Sequence, residues 1–578
     1  MLTFARRRKK VLMNSRKVRL VFIAVLFTFL ESCGIFGIHT SIHNPKHGGK
    51  LPAFSKETIL LGELTKYREC FDVYYYDLSI EFEPDHKNID GVVKINAIAM
   101  SDFDTIQLDL HANLQITSLL EEKEIPYKRV ERAIFIPLTK KKGEQFCITI
   151  HYNGNPVIAK KPPWLGGTVW KKDKQGNHWD GVACESDGAS IWWPLKDHTS
   201  DEPDSMRLHY TVPKELTAVG NGHFEGKTTT EKLSTYNWFI SYPINTYNVT
   251  FYIGKFKLLE DEYKGINGKK LKLNHYVLEP NYEKAKKHFQ QLHNQLRVYE
   301  EKFGEYPWYR DGFKLVESPY AGMEHQSAIA YGNGYKNDLD STIDYIILHE
   351  TAHEWWGNSV TAKDINDVWL HEGFATYSEA LYLETTKGKE DYTAHLNIYR
   401  LFIQNKFPVV GVKDRRFFHY KMSGDVYMKG AWILHTLRMQ IDDDEIFFDI
   451  IKTFATRYRQ KIVESKDFIA LVNEKTDMDY NWFFNQYLNN RKVPVIECAR
   501  LPNTGKLFFR WKHANKDFNQ LKVRLESNGE TFYVTPSNEI QRFDMQPDVY
   551  GYVNFTFYMD NLIGYDYNKD LLKELPKD

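Results

Sequence analysis

Cysteine is scarce in these 578 residues: there are five, at positions 33, 70, 147, 184 and 498. Scattered thiols of that number cannot staple a small secreted scaffold, and none falls in a Cys-x-x-Cys zinc or redox spacing. Net charge is missing as well. Lysine and arginine number 76, aspartate and glutamate 76, and a pI of about 7.3 offers no electrostatic footprint for nucleic acid. The N-terminal apolar run, Leu20 to Leu30, has eleven residues, too short for a bilayer-spanning helix of roughly 20. What the chain does have is 42% hydrophobic and 15% aromatic side chain. That is enough to bury real cores, and a length prior of about 150 residues per domain predicts roughly three or four domains. Disorder and collagen-like repetition are excluded.

The balanced charge hides an asymmetry. The first 32 residues carry eight basic side chains (Arg6, Arg7, Arg8, Lys9, Lys10, Arg16, Lys17, Arg19) and a single acid, Glu31. A basic start, a short apolar core and then small residues read as an export signal. The sequence Leu30-Glu31-Ser32-Cys33-Gly34 resembles a bacterial lipobox, with Glu31 departing from the usual small residue. That resemblance implies lipidation of Cys33 and an exported, membrane-anchored lipoprotein of the cell envelope. Met13 is an alternative start that keeps Arg16, Lys17 and Arg19. Without residues 1–32 the chain holds 68 basic against 75 acidic side chains, a formal charge of about −7.

Residues 33–57, rich in Gly, His and polar side chains without periodicity, read as a tether. From Phe71 alternation takes over, with Leu78, Ile80 and Phe82 on one face and Ser79 and Glu81 on the other. Such period-two runs recur to Gly254 and predict an all-β N-terminal domain over 58–254. Helical spacing then marks 281–303, 341–357, 366–387, 425–440, 444–458 and 480–489, so a central domain over 255–493 is mainly helical. Alternation returns after Pro494, with Asn528-Gly529 as a hairpin turn, and predicts a small β-sandwich-like domain over 494–578. The fold class expected is multidomain α+β.

The chemistry concentrates in the central helices. His349-Glu350-Thr351-Ala352-His353 sets two histidines at i and i+4, on one helical face, with Glu350 beside them. This suits a water-activating zinc, which takes two neutral nitrogens, one further protein ligand and an open position. Ser341 is the expected cap of this helix, with Asp344 as its capping-box partner. In a chain with 21 histidines the third ligand decides, and a carboxylate on a second helix returning alongside is available at Glu372.

The 18 residues between His353 and Glu372, with Leu370-His371-Glu372-Gly373-Phe374-Ala375 around the latter, resemble the gluzincin aminopeptidases, the family of aminopeptidase N and the leukotriene hydrolase. The resemblance covers about residues 60 to 560. It implies a thermolysin-like catalytic domain, one zinc per chain held by His349, His353 and Glu372, and Glu350 as general base. Glu379, two turns beyond Glu372, is a partner for a ligand imidazole. Tyr320-Ala321-Gly322-Met323-Glu324-His325 resembles the family's exopeptidase motif, with Ala321 for a glycine and His325 for an asparagine. By that resemblance Glu324 and Glu185 bind the substrate's free amine, and Gly322 and Met323 form an edge strand that pairs with the substrate backbone. Asp425-Val426-Tyr427-Met428-Lys429-Gly430 is similar to the segment that carries the catalytic tyrosine, here Tyr427. His371 is given no ligand role, because neighbouring helix positions point about 100° apart. His325 introduces an imidazole whose charge tunes amine affinity near neutral pH. The expectation is therefore an aminopeptidase acting on peptides with a free N-terminus, with no nucleic-acid partner. A zinc endopeptidase, an epoxide hydrolase and a non-catalytic surface peptide-binding protein are the alternatives.

Overall fold

The computed structural model of the protein describes residues 44–416, 423–501, 504–546 and 554–575. The expected export signal, Cys33 and the first part of the expected tether lie outside the described residues.

The N-terminal part is β-rich, as its alternation predicts. The strand Phe71–Glu83 buries Leu78, Ile80 and Phe82 and pairs antiparallel with Asn88–Ala99, Leu78 opposite Val93. These two strands lie in a seven-stranded sheet. A four-stranded sheet that includes His178–Ala183 and Phe251–Gly254 contributes to the same core, where Trp192, Trp193 and Phe251 are fully buried. The aromatic packing excludes water from the strand end that delivers Glu185.

A third, five-stranded sheet joins the two halves of the molecule. Its last three strands run in the spatial order Leu315–Glu317, Ile329–Tyr331, Gly322–Met323, which leaves Gly322–Met323 at the edge as expected. Val316, Met323 and Ala330 point into the N-terminal core, whereas Leu315, Ile329 and Tyr331 belong to the core of the helical region. Period two thus lets one short sheet seal two cores.

Several helix expectations need correction. The stretch 281–303 is two helices, Tyr282–His288 and Gln291–Phe303, separated at Phe289 and Gln290. The stretch 341–357 yields only Tyr345–Ala352, and its cap is Asp344, whose carboxylate accepts from the N–H groups of Ile346 and Ile347. A carboxylate at that position also suits the helix's positive end. The last stretch, 480–489, begins as the helix Asn481–Phe484 and continues as a π-turn, Asn485–Asn489. Trp369–Lys387, Asp425–Ile441 and Asp444–Arg457 form close to the expected positions.

Strands return at Val495–Arg500, and Asn528 and Gly529, both at positive φ, turn the hairpin between Val523–Ser527 and Glu530–Val534. Leu507, Phe509 and Leu562 share a core with the helices. Part of the expected tether is pinned down. Asn44 pairs with both backbone groups of Val493, and the Arg491 guanidinium donates to the Pro45 carbonyl at 2.9 Å. Orphan backbone groups at a strand entry explain this docking better than composition could.

Candidate metal centre and amine pocket

His349 lies in the last turn of Tyr345–Ala352, and His353 follows as the cap residue at αR dihedrals, so the i, i+4 relation survives the helix end. Their Nε2 atoms are 3.2 Å apart, and each is 3.4 Å from Glu372 Oε2. The three residues are buried, and their ligating atoms lie within 4.8 Å of one another. A tetrahedral ion with bonds of about 2.0–2.1 Å has ligand–ligand edges of about 3.3–3.4 Å, so this triangle has the size a zinc ion requires.

The protons also fit. His349 Nδ1 lies 2.7 Å from Glu379 Oε1, and His353 Nδ1 is 2.8 Å from the Trp356 carbonyl. Both Nδ1 atoms therefore donate, which turns the Nε2 lone pairs toward Glu372. Glu372 Oε2 is buried and has no hydrogen-bond partner among the described residues. With both Nδ1 atoms donating elsewhere, the two Nε2 atoms and the Glu372 carboxylate face one point, the donor set that a cation takes.

Glu379 is tied further than the sequence foretold. Its second oxygen meets His395 Nε2 at 3.0 Å and the Tyr399 hydroxyl, both on the next helix, Lys389–Arg400. Tyr345 stacks on His349 with centroids 5.5 Å apart.

Glu350, Glu185, Glu324 and Tyr427 line one cavity with the three ligand candidates, together with Gly322, Met323, Ile346 and the loop residues Pro163 and Trp164. The Tyr427 ring stands 6.2 Å from that of His349. Gly322 is required sterically, because a Cβ there would sit 2.4 Å from Glu350 Oε1 and 2.8 Å from Ile346 Cγ2. The edge strand and the HExxH helix thus approach as closely as backbone allows.

Tyr427 reaches this cavity through a second glycine contact. Gly373, next to Glu372, and Gly430, one turn after Tyr427, face each other where their two helices cross, and a Cβ on Gly430 would lie 2.8 Å from Gly373 Cα. Asp425 accepts from the N–H groups of Gln404 and Asn405, while Lys429 donates to the carbonyl of Arg491. The Asp425-x-x-x-Lys429 spacing is therefore an anchor for the tyrosine helix.

The cavity is crowded with buried carboxyl groups. Burial pushes the Glu350 carboxyl up to about 8, against the pull of His349 and His353. Glu185 is raised by burial and then by Glu324, Glu372 and Glu350; Glu324 is raised by burial, with Glu372 adding to it. Glu185 Oε1 is buried with no hydrogen-bond partner among the described residues. Such a cluster calls for cations: a divalent ion at the triangle and a cationic group between Glu185 and Glu324 would relieve it.

His325 does not do what its position suggested. It is fully buried, its Nδ1 lies 2.6 Å from the Tyr252 hydroxyl, and burial lowers it to about 3. It stays neutral near pH 7 and cannot tune affinity by charging. His371 is likewise away from the metal triangle, its Nε2 accepting from the Ala362 N–H at 2.8 Å. Sequence reasoning missed His395, Tyr399, Trp164 and Tyr247. Nothing in their spacing marks them, since they reach the site only through tertiary packing.

Comparison with known proteins agrees with this geometry. Residues 288–487 match the model of the Peptidase family M1 domain. The Tricorn protease-interacting factor F2 of Thermoplasma acidophilum is 24% identical over 377 residues, 60% of this chain and 45% of that protein. A leucyl aminopeptidase of Saccharolobus solfataricus is 24% identical over 312 residues, 52% of this chain and 38% of its own length. The chain thus spans less than half the length of these curated relatives. Among solved structures, an M1 zinc metallopeptidase from Deinococcus radiodurans superposes with a TM-score of 0.63 at 20% identity, covering 75% of this chain and 96% of that one. A variant of that enzyme bound to a Tyr-Ser-Ala substrate gives a TM-score of 0.62 at 21% identity, covering 73% and 95%. The stretch that holds His349, His353 and Glu372 therefore matches the Peptidase family M1 domain, within a fold similar to that of the M1 zinc metallopeptidases.

Proposed function

We propose that this protein is a zinc-dependent aminopeptidase that removes N-terminal residues from peptides. The observation that carries the reading is the shared cavity, in which a zinc-sized triangle and Glu350 meet two further buried carboxylates, Glu185 and Glu324. An endopeptidase has no use for that second pair. A free α-ammonium gives both buried carboxyl groups a cationic hydrogen-bond donor, whereas an acylated terminus leaves them without that partner, at a cost of several kcal/mol.

His349, His353 and Glu372 would hold the ion, which supplies a Lewis acid for the scissile carbonyl and lowers the pKa of a water. Glu350 takes the proton of the attacking water and passes it to the leaving amine. The Tyr427 hydroxyl donates to the carbonyl oxygen as that oxygen gains negative charge, an interaction worth about 3 kcal/mol in comparable sites. Glu185 and Glu324 hold the α-ammonium, so the cut falls after the first residue. The free edge of Gly322–Met323 offers backbone groups to the peptide. Glu379 orients His349 and keeps its proton on Nδ1.

Turnover of L-leucine p-nitroanilide by the zinc-loaded protein, with and without a chelator, tests the reading. Glu350→Gln retains the metal and loses at least about a hundredfold in kcat, and unchanged turnover would remove Glu350 as the base. Equal cleavage of N-acetylated and free peptides would make the protein an endopeptidase instead. The basic N-terminal segment and lipobox-like sequence support export and lipid anchoring at Cys33, and membrane fractionation of a Cys33→Ser variant is the measurement.

A further inference from the structure

The two amine-facing carboxylates come from distant parts of the chain, and one three-residue turn touches the backbone or side chain of both segments. The turn is Thr246–Asn248, capped by Asn245, whose side chain accepts from the Tyr247 N–H. The Tyr247 hydroxyl donates to Glu324 Oε1 at 3.0 Å. The thiol of Cys184, the residue before Glu185, donates to the Tyr247 carbonyl at 3.2 Å. Asn248 donates to Asn358 Oδ1 at 2.7 Å, and Asn358 Nδ2 donates to the Glu324 carbonyl at 2.8 Å. Glu324 is held at its side chain by Tyr247 and at its backbone by Asn358, which the next residue of the turn, Asn248, holds in place.

His371 sets the direction of the phenol. Its Nε2 accepts from the Ala362 N–H, so the ring proton of the neutral imidazole resides on Nδ1. That Nδ1 lies 3.5 Å from the Tyr247 oxygen. The imidazole therefore donates to the phenol, and the phenol's own proton is left for Glu324. Tyr247 and His371 are each 1% exposed and Glu324 4%, so water does not compete for these bonds.

We infer that Tyr247, oriented by His371, is a positioning residue that locks Glu324 with one oxygen occupied and presents the other to the substrate's α-ammonium. This rests on the aminopeptidase reading and extends it to a device that sets the spacing between Glu324 and Glu185. A carboxylate free to rotate would collapse onto the nearest donor. One clamped by a phenol is already arranged when the amine arrives. Hydrogen bonds to a charged acceptor are among the stronger ones, which makes the loss measurable.

Steady-state kinetics on L-leucine p-nitroanilide, with zinc content measured for each preparation, test this. Tyr247→Phe raises KM about tenfold and changes kcat less than about threefold, with zinc unchanged. His371→Phe raises KM severalfold without touching the hydroxyl, and His371→Gln, which keeps a donor and an acceptor, restores KM. The double variant Tyr247→Phe/His371→Phe is no worse than Tyr247→Phe alone, because both act through one bond. If Tyr247→Phe and His371→Phe keep the KM of a wild type that rejects N-acetyl substrates, the clamp is overturned and the aminopeptidase reading stands. If the wild type cleaves N-acetyl-peptides equally well, the reading falls and the clamp with it. Should Tyr247→Phe fail to fold, His371→Phe against His371→Gln decides alone.

Discussion

At His325 burial outweighs residue type. An imidazole beside an amine-binding glutamate reads as a pH sensor, yet its ring is sealed against Tyr252 and held near 3. The consequence lies in stability. An unfolded chain takes up a proton at this residue below about pH 6.5, whereas the folded one refuses it until about 3. Stability therefore falls as the pH drops through that window, by about 1.4 kcal/mol per pH unit. Replacing His325 by Asn removes this slope. Between pH 7 and pH 5 the unfolding free energy of the variant gains about 2 kcal/mol relative to the wild type, measurable by denaturant titration at the two pH values. The pH–rate profile near neutrality stays where it was, and a shift there would show that His325 titrates in the folded protein.

Between elements, the site depends on two contacts that only glycine permits. Gly322 lets the edge strand lie against the Glu350 carboxylate, and the Gly373–Gly430 crossing lets the tyrosine helix lie against the Glu372 helix. Gly430→Ala tests the second. Its methyl group meets Gly373 Cα at 2.8 Å with no flexible side chain to yield, so the helices must part. Overpacking of this kind costs about 1–3 kcal/mol, which a thermal melt reads as a modest loss. In the proposed mechanism the larger effect falls on catalysis, because displacing Tyr427 by a fraction of an ångström would weaken its bond to the developing negative charge. A kcat reduced at least tenfold with zinc content intact is the expected result, and an unchanged kcat would show that this crossing does not set the position of Tyr427.

Across the whole molecule the cavity is a junction. Glu185 arrives from the β-rich N-terminal part, Glu324 from the edge of the shared sheet, and the metal triangle from two helices. The halves are stitched near it: the Tyr320 hydroxyl donates to the Val182 carbonyl at 2.7 Å, and Arg416 pairs with Asp197 at 3.1 Å. Export would place this assembly on a membrane through Cys33, and no described helix is long and apolar enough to cross one. A Cys33→Ser variant moves from the membrane to the soluble fraction, and retention in the membrane would remove the lipid anchor. Beyond its basic start, the chain's charge of about −7 gives residues 33–578 no general attraction to anionic lipid.

Local chemistry made much of this legible in the sequence. Two histidines at i and i+4 share a face in any helix, Glu372 follows at a spacing that a returning helix can use, and alternating Leu78, Ile80 and Phe82 fix the inner face of a strand. Glu379, i+7 from Glu372 on the same helical face two turns on, lies 2.7 Å from His349 Nδ1. What it could not reveal depends on contacts between distant segments. Tyr247 is one of 36 tyrosines until the turn at Thr246–Asn248 folds over Glu324. His325 read as a charge beside the amine site and His371 as a residue without a ligand role, and only packing shows one sealed behind Tyr252 and the other turned toward Tyr247. Spacing along a chain sets which side chains share a face, but burial and hydrogen-bond partners, which decide charge and orientation, exist only once the faces have met.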